Sequence, residues 1–353
     1  MISTINEYAF EKSVFPVILS LEVHTGEAQQ RAMAQIMKDV FKEKLVCFVD
    51  AEKTELGSRE FSPVGLQRRI LVKTKKDIPC PDPSSLQYYS FIQAKKFASI
   101  EAAEKMPHYA VVSISESNFE RWGQQANIFG RLTKTMIVRT YPAGTRIDSR
   151  NYSPIPAWNF GAQIVALNYQ TNDIPFRINR AKFAVNGKCG YVLKPKCLRM
   201  PSVDPQSYGD RKKLIVEVVL GVPLPKPQSS KKSSENIDPY VQLYVSGIDG
   251  DTSELLETSV RENNGFNPRW NERFEFNINS VEMAILSIIV KDKGPMSHQV
   301  IGTNHIALSG LRMGYRAVPL LKEEATYQLH PPPTILLCNF QIVSKVGISE
   351  DDI

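Results

Sequence analysis

Four short runs share a design that few folds can use: PVILSLEVH (16–24), RILVKTK (69–75), YAVVSIS (109–115) and TMIVRTY (135–141). Each is rich in aliphatic and β-branched residues and reads as a strand. Side chains alternate faces along a strand. Ile18, Ser20 and Glu22 therefore share one face of the first run, and Leu71, Lys73 and Lys75 share one in the second. Val111, Ser113 and Ser115 follow the same rule in the third, as do Ile137, Arg139 and Tyr141 in the fourth. On every face the apolar residue comes early and the polar residues come late. Such strands bury their beginnings and open their C-terminal ends on a site.

Helical patterns lie between and before these runs. TINEYAFEKS (4–13) starts with the capping box Thr4 to Glu7, and GEAQQRAMAQIMKDVFKEKL (26–45) carries Met33, Ile36, Met37 and Phe41 at helical spacing. A fifth strand is expected at QIVALNY (163–169). Strands alternating with helices argue for a parallel sheet covered by helices. The prolines of KDIPCPDPSS (76–85) mark a linker inside this region.

After residue 210 the texture changes. About eight short strands follow, among them LIVEVVLG, PYVQLYVSG, RWNERFEFNI, AILSIIVKD, QVIGTNHIAL and TILLCNFQIV. Long helices are absent, and the spacing reads as an antiparallel sandwich. A polar loop, KPQSSKKSSEN (226–236), separates its first two strands and offers Lys231 and Lys232 to solvent or to anionic lipid.

A chain of 353 residues accommodates about two domains of this kind. Its 42% hydrophobic and 23% charged content suits a globular protein, and no apolar run approaches the roughly 20 residues of a membrane span. The five cysteines are scattered without a CxxC spacing, which excludes a disulfide framework or a zinc site and points to the cytosol. A net charge of +6 favours anionic partners without choosing among them, and no nucleic-acid-binding module is present.

In a β/α barrel the C-terminal ends of the strands form the active site. Ser20, Glu22, Lys73, Lys75, Ser113, Arg139 and Tyr141 would then converge at one mouth. Three cations and several hydroxyls describe a pocket for a polyanion, because Lys and Arg bind phosphate through charge-assisted hydrogen bonds. Glu22 repels phosphate and needs a separate task, as a metal ligand or as a base. Snorkelling lysines and solvated strand ends are the plainer reading of any single strand, and the repetition over four strands weighs against it.

Together with PVILSLEVH and ILVKTKK, the motifs VSISES, RTYPAGTRIDSRNYSPIPAWNFGAQIVALNYQT and NGKCGYVLKP resemble phosphoinositide-specific phospholipase C. IDPYVQLYV, NNGFNPRWNERFEF and VIGTNHIAL resemble the C2 domain of that family. The resemblance implies a TIM-type α/β barrel, represented here by about five of its eight strands, followed by an all-β C2 sandwich. It places the end of the X region at 1–76, a short linker at 77–85, the Y region at 86–201 and the C2 domain at 212–343. The implied activity is calcium-dependent hydrolysis of phosphatidylinositol 4,5-bisphosphate to diacylglycerol and inositol trisphosphate, at the inner membrane surface. Glu22 is implied as a calcium ligand and candidate base. Ser20 and Lys75 are implied to hold the 5-phosphate, Lys73, Ser113 and Arg139 the 4-phosphate, and Tyr141 to pack on the inositol ring.

The sequence departs from the family in three places. The family's earlier strands supply two histidines and further carboxylates, and none of His24, His108, His298, His305 or His330 matches those positions; His24 is expected to serve the fold. The chain is therefore expected to be truncated and inactive alone, with a non-catalytic phosphoinositide-binding or membrane adaptor as the alternative. At the rim, Glu120 and Thr145 stand where the family places apolar residues. In the C2 loops Asp238 and Asp292 match calcium ligands, but Gly294 and Gln299 replace others, so a weak C2 calcium site is expected.

Overall fold

The computed structural model describes residues 1–47, 62–75, 82–90, 92–106, 110–123, 126–200, 211–227, 237–248, 250–251, 254–294, 298–322 and 334–344. The Lys231–Lys232 pair and part of the expected linker lie outside the described residues. The chain divides into two compact units, one holding residues 1–145, 160–167 and 186–194, the other 146–159, 168–185 and 195–353.

Among the described residues, the first unit is built on six parallel strands: β1 (Val17–Ser20), β2 (Ile70–Thr74), β3 (Ile92–Lys96), β4 (Ala110–Ser115), β5 (Ile137–Tyr141) and β6 (Ile164–Val165). They neighbour one another in chain order. That order and the parallel sense are those of a β/α winding. The count corrects the sequence reading of five strands. β3 escaped notice because FIQAKK offers one large aliphatic residue inside a polar setting, too little for a periodicity signal.

The early residues of the strands pack as expected. Leu71, Ile92 and Val111 are buried together with Val46, and Ile18, Leu66 and Ile137 pack against them. On the other face of the sheet, the helix Glu27–Phe41 lays Ala34, Met37 and Phe41 onto Ile70 and Val72. Fully burying each such large side chain contributes roughly 1.5–3 kcal/mol. Ile36 was expected on this face and is 52% exposed. At about 100° per residue, Gln30, Ala34, Met37 and Phe41 define the buried stripe and Ile36 falls outside it. The first helix runs Ile2–Tyr8 with Met1 as its cap, so Thr4 lies inside it and makes no capping box.

Gly161 sits at φ +84°, and a Cβ there would lie 2.7 Å from Thr133 Oγ1. That hydroxyl donates to Phe160 O at 2.8 Å, so it has little freedom to withdraw. Gly161→Ala is expected to cost about 2 kcal/mol from left-handed backbone strain and this contact. A urea midpoint unchanged from the parent would refute it.

The second unit contains β7 (Lys212–Val222), β8 (Pro239–Ser246), β9 (Leu256–Glu257), β10 (Arg269–Ile278), β11 (Ile285–Lys293), β12 (His298–Ala307), β13 (Gly314–Pro319) and β14 (Ile335–Ser344). These form two antiparallel four-stranded sheets, β10-β7-β14-β13 and β12-β11-β8-β9. Their inner faces share one core, in which Val216, Leu243, Phe276, Leu286, Ile288 and Phe340 are almost wholly buried. This is the expected sandwich.

The helix Ile174–Lys182 belongs to the same unit and packs on β11 and β12. Its Asp173 cap accepts from Phe176 N at 3.2 Å. Arg177 is buried and donates to Asn172 O at 2.9 Å and to Thr303 Oγ1 at 3.4 Å. Nearby, burial pushes the His305 imidazole down to about 3, with Arg177 adding to the effect. The ring is thus neutral and shares a 2.8 Å hydrogen bond with Ser287 Oγ.

Candidate functional site

The polar residues of the parallel sheet meet because of register. Ser20 is the partner of Lys73 across β1 and β2. Ser113 is the partner of Arg139 across β4 and β5, and Ser115 of Tyr141. Partners in parallel strands share a face, so the late residues form one layer above the apolar layer of Ile18, Leu71, Val111 and Ile137.

Contacts bear this out. Lys73 Nζ donates to Ser20 Oγ at 3.2 Å. Lys75 Nζ donates to Glu22 Oε1 at 2.9 Å. The Arg139 guanidinium lies 5.3 Å from the centre of the Tyr141 ring, a cation–π contact that orients both. Lys73 is only 8% exposed. Its pKa is held below the usual lysine range, first by burial and then by the charges of Arg139 and Lys75. A half-buried ammonium near two further cations, offset only by a smaller attraction to Glu22, is favourably placed for an added anion. Glu22 titrates below the usual carboxylate range, chiefly through its hydrogen bond and attraction to Lys75, with smaller help from His24 and Arg139.

β1 ends at Ser20, two residues earlier than needed to carry Glu22. Glu22 instead stands in the segment after the strand, exposed, as is Lys75 just past β2. His24 is exposed in the same segment and lines a small cavity with Glu22, Gln30, Thr74, Lys75 and Gln87. His24 is thus placed beside Glu22 and Lys75 and outside the buried core. Glu120 and Thr145 are exposed.

One position was missed. By register, Lys96 pairs with Ser113 across β3 and β4, at the late end of a strand that begins with Ile92. The same parity rule would have found it, had IQAKK been read as a strand.

A calcium ion takes roughly six to eight oxygen ligands, usually with several carboxylates. Here Glu22 stands among the cations at the strand ends and already accepts from Lys75, while Glu116, just past β4, accepts from Ala143 N at 3.1 Å. Among the described residues no three His, Cys, Asp or Glu side chains gather as a metal centre. The described residues do not fit the ion. In the sandwich, Asp292 Oδ1 accepts from Asp238 N at 2.8 Å, and Asp238 Oδ1 accepts from Asn263 N at 2.8 Å. Both aspartates thus tie loops together, and they too form no such cluster.

Comparison with known proteins matches this architecture. The family model for the X domain of phosphatidylinositol-specific phospholipase C matches residues 1–76, that for its Y domain residues 85–197, and the C2 model residues 212–322. The human 1-phosphatidylinositol 4,5-bisphosphate phosphodiesterase delta-3 is 33% identical, over 92% of this chain and 46% of its own length. The 1-phosphatidylinositol 4,5-bisphosphate phosphodiesterase of Dictyostelium discoideum is 32% identical, over 96% of this chain and 50% of its own. The crystal structure of L. pealei PLC21 superposes with a TM-score of 0.81 at 28% identity, covering 98% of this chain and 47% of that one. The chain spans about half the length of the relatives it matches.

Proposed function

The chain belongs to the phosphatidylinositol-specific phospholipase C family, and on that premise we propose that its parallel-sheet mouth holds the bisphosphorylated inositol headgroup of phosphatidylinositol 4,5-bisphosphate. The observation that supports this most is Lys73, buried against Ser20 and crowded by two other cations. The charge of the 4-phosphate would relieve that crowding through Lys73, Ser113 and Arg139. Ser20 and Lys75 take the 5-phosphate, and Tyr141 lies under the ring. Residues 1–76 and 86–201 serve as the X and Y regions around a short linker at 77–85, and 212–343 as the C2 domain. The reaction served is hydrolysis of the phosphodiester to diacylglycerol and inositol trisphosphate, in intracellular lipid signalling. The working location is the cytoplasmic membrane surface; no described helix is long and apolar enough to cross a membrane.

A second reading is favoured by the carboxylate count at the mouth. With Glu22 paired to Lys75 and no metal cluster among the described residues, the chain by itself binds headgroup without turning it over. Purified chain mixed with vesicles containing phosphatidylinositol 4,5-bisphosphate and calcium is expected to release no inositol trisphosphate. Turnover that Glu22→Gln abolishes would show that the residues of this chain suffice for catalysis.

The C2 loops give a separate expectation. Because Asp238 and Asp292 are spent on backbone N–H groups, binding to phosphatidylserine vesicles should change less than threefold on adding calcium. Sedimentation assays showing a tenfold gain at micromolar calcium would mean these aspartates are true ligands.

A further inference from the structure

We propose that Glu22 is the internal counter-ion of Lys75, a carboxylate that an incoming 5-phosphate must displace and that thereby sets how strongly this pocket values that phosphate. The inference rests on the headgroup reading above and assigns Glu22 a task other than metal ligation.

The geometry separates two kinds of cation at the mouth. Lys73 is buried and contacts a neutral partner, Ser20 Oγ, at 3.2 Å. Arg139 stacks against the Tyr141 ring. Neither of these contacts neutralises its cation. Lys75 differs: it is 71% exposed, and its ammonium meets Glu22 Oε1 at 2.9 Å. Both partners extend just beyond the ends of adjacent parallel strands, where Ser20 and Lys73 fix the register. The sheet register thus brings the two residues side by side, and their exposed side chains meet there.

Two consequences follow. A ligand phosphate reaching Lys75 exchanges one anion for another, so Lys75 contributes less to binding than an unpaired lysine would. The displaced carboxylate then stands beside the phosphate and repels it, an interaction that water screens but does not remove at such short range. A ligand without a 5-phosphate leaves the pair intact and meets Glu22 only through its smaller coupling to Lys73 and Arg139. Removing the charge of Glu22 therefore strengthens binding selectively for ligands that carry the 5-phosphate. A metal ligand behaves oppositely, since losing it weakens any calcium-assisted binding.

The test is calorimetric titration of the full chain, with inositol 1,4,5-trisphosphate and inositol 1,4-bisphosphate as probes, first in chelator and then in millimolar calcium. Glu22→Gln is expected to tighten trisphosphate binding threefold to tenfold and bisphosphate binding less than twofold, with calcium changing neither. Lys75→Met is expected to erase the effect of Glu22→Gln. Unchanged or weaker trisphosphate binding by Glu22→Gln, with Lys73→Ala still harmful, would overturn the counter-ion role and leave the pocket standing. Calcium that tightens binding fivefold in the parent but not in Glu22→Gln would overturn it too, by making Glu22 a metal ligand. Failure of every protein to bind either probe would overturn the headgroup reading, and the counter-ion with it.

Discussion

Replacing Phe340 by alanine is expected to destabilise the sandwich by about 3–5 kcal/mol, the usual cost of emptying a fully buried aromatic site. Phe340 lies on β14, between Val216 of β7 and Gly314 of β13, and is wholly excluded from solvent. Its ring is shared by both sheets through a core that includes Phe276, Leu286 and Ile288. A domain is stable by only about 5–15 kcal/mol, so the loss takes a large share of the total. For a unit of this size, thermal unfolding should begin roughly 10 °C earlier. Phe340→Leu, which keeps most of the volume, should recover more than half of the loss. A melting temperature for Phe340→Ala within 2 °C of the parent would show that this core repacks freely, contrary to its burial.

The second large effect concerns binding. Lys73→Ala and Arg139→Ala should each weaken inositol 1,4,5-trisphosphate by about 1.5–3 kcal/mol, the worth of a charge-assisted hydrogen bond, or roughly tenfold to 150-fold. Removing Lys73 also relieves its crowding by Arg139 and Lys75, so the ligand-free protein should not lose stability in proportion. The two losses should fall short of additive in the double variant, because both cations are assigned to one phosphate. The pH dependence has a definite sign. Burial, then Arg139 and Lys75, lower the Lys73 pKa, so it gives up its proton earlier than an ordinary lysine as pH rises. Affinity should therefore fall on the alkaline side in the parent, and Lys73→Ala should flatten that limb. Equal affinity for the parent and both alanine variants by calorimetry would remove these residues from the pocket.

Much of the architecture was legible in the sequence, and for a plain reason. A parallel sheet packed on both faces and open at one end puts alternate residues on one face, with a polarity gradient along each strand. PVILSLEVH, RILVKTK, YAVVSIS and TMIVRTY all display it, and from them Ser20, Lys73, Ser113, Arg139 and Tyr141 could be placed on one face before any coordinates. The sandwich was equally readable, because short strands recur there without long helices between them. Where the pattern is short or diluted, it failed: β3 hid Lys96 for want of aliphatic residues, and only two residues of QIVALNY form a strand.

Other features depended on tertiary structure because they arise from neighbours far apart in the chain. The register of β1 against β2 decides that Glu22 meets Lys75, and the sequence left that carboxylate equally suited to a metal. The helix Ile174–Lys182 reads as part of the barrel region, yet it packs on β11 and β12 and buries Arg177 against Thr303. A helix presents its apolar stripe without naming the surface that will cover it. The sequence by itself determined most of the strands, their faces and the layer of cations and hydroxyls at their ends. Which charge neutralises which, and which sheet a helix covers, was decided only when packing brought those distant groups together, since burial and Coulomb energy depend on neighbours in space.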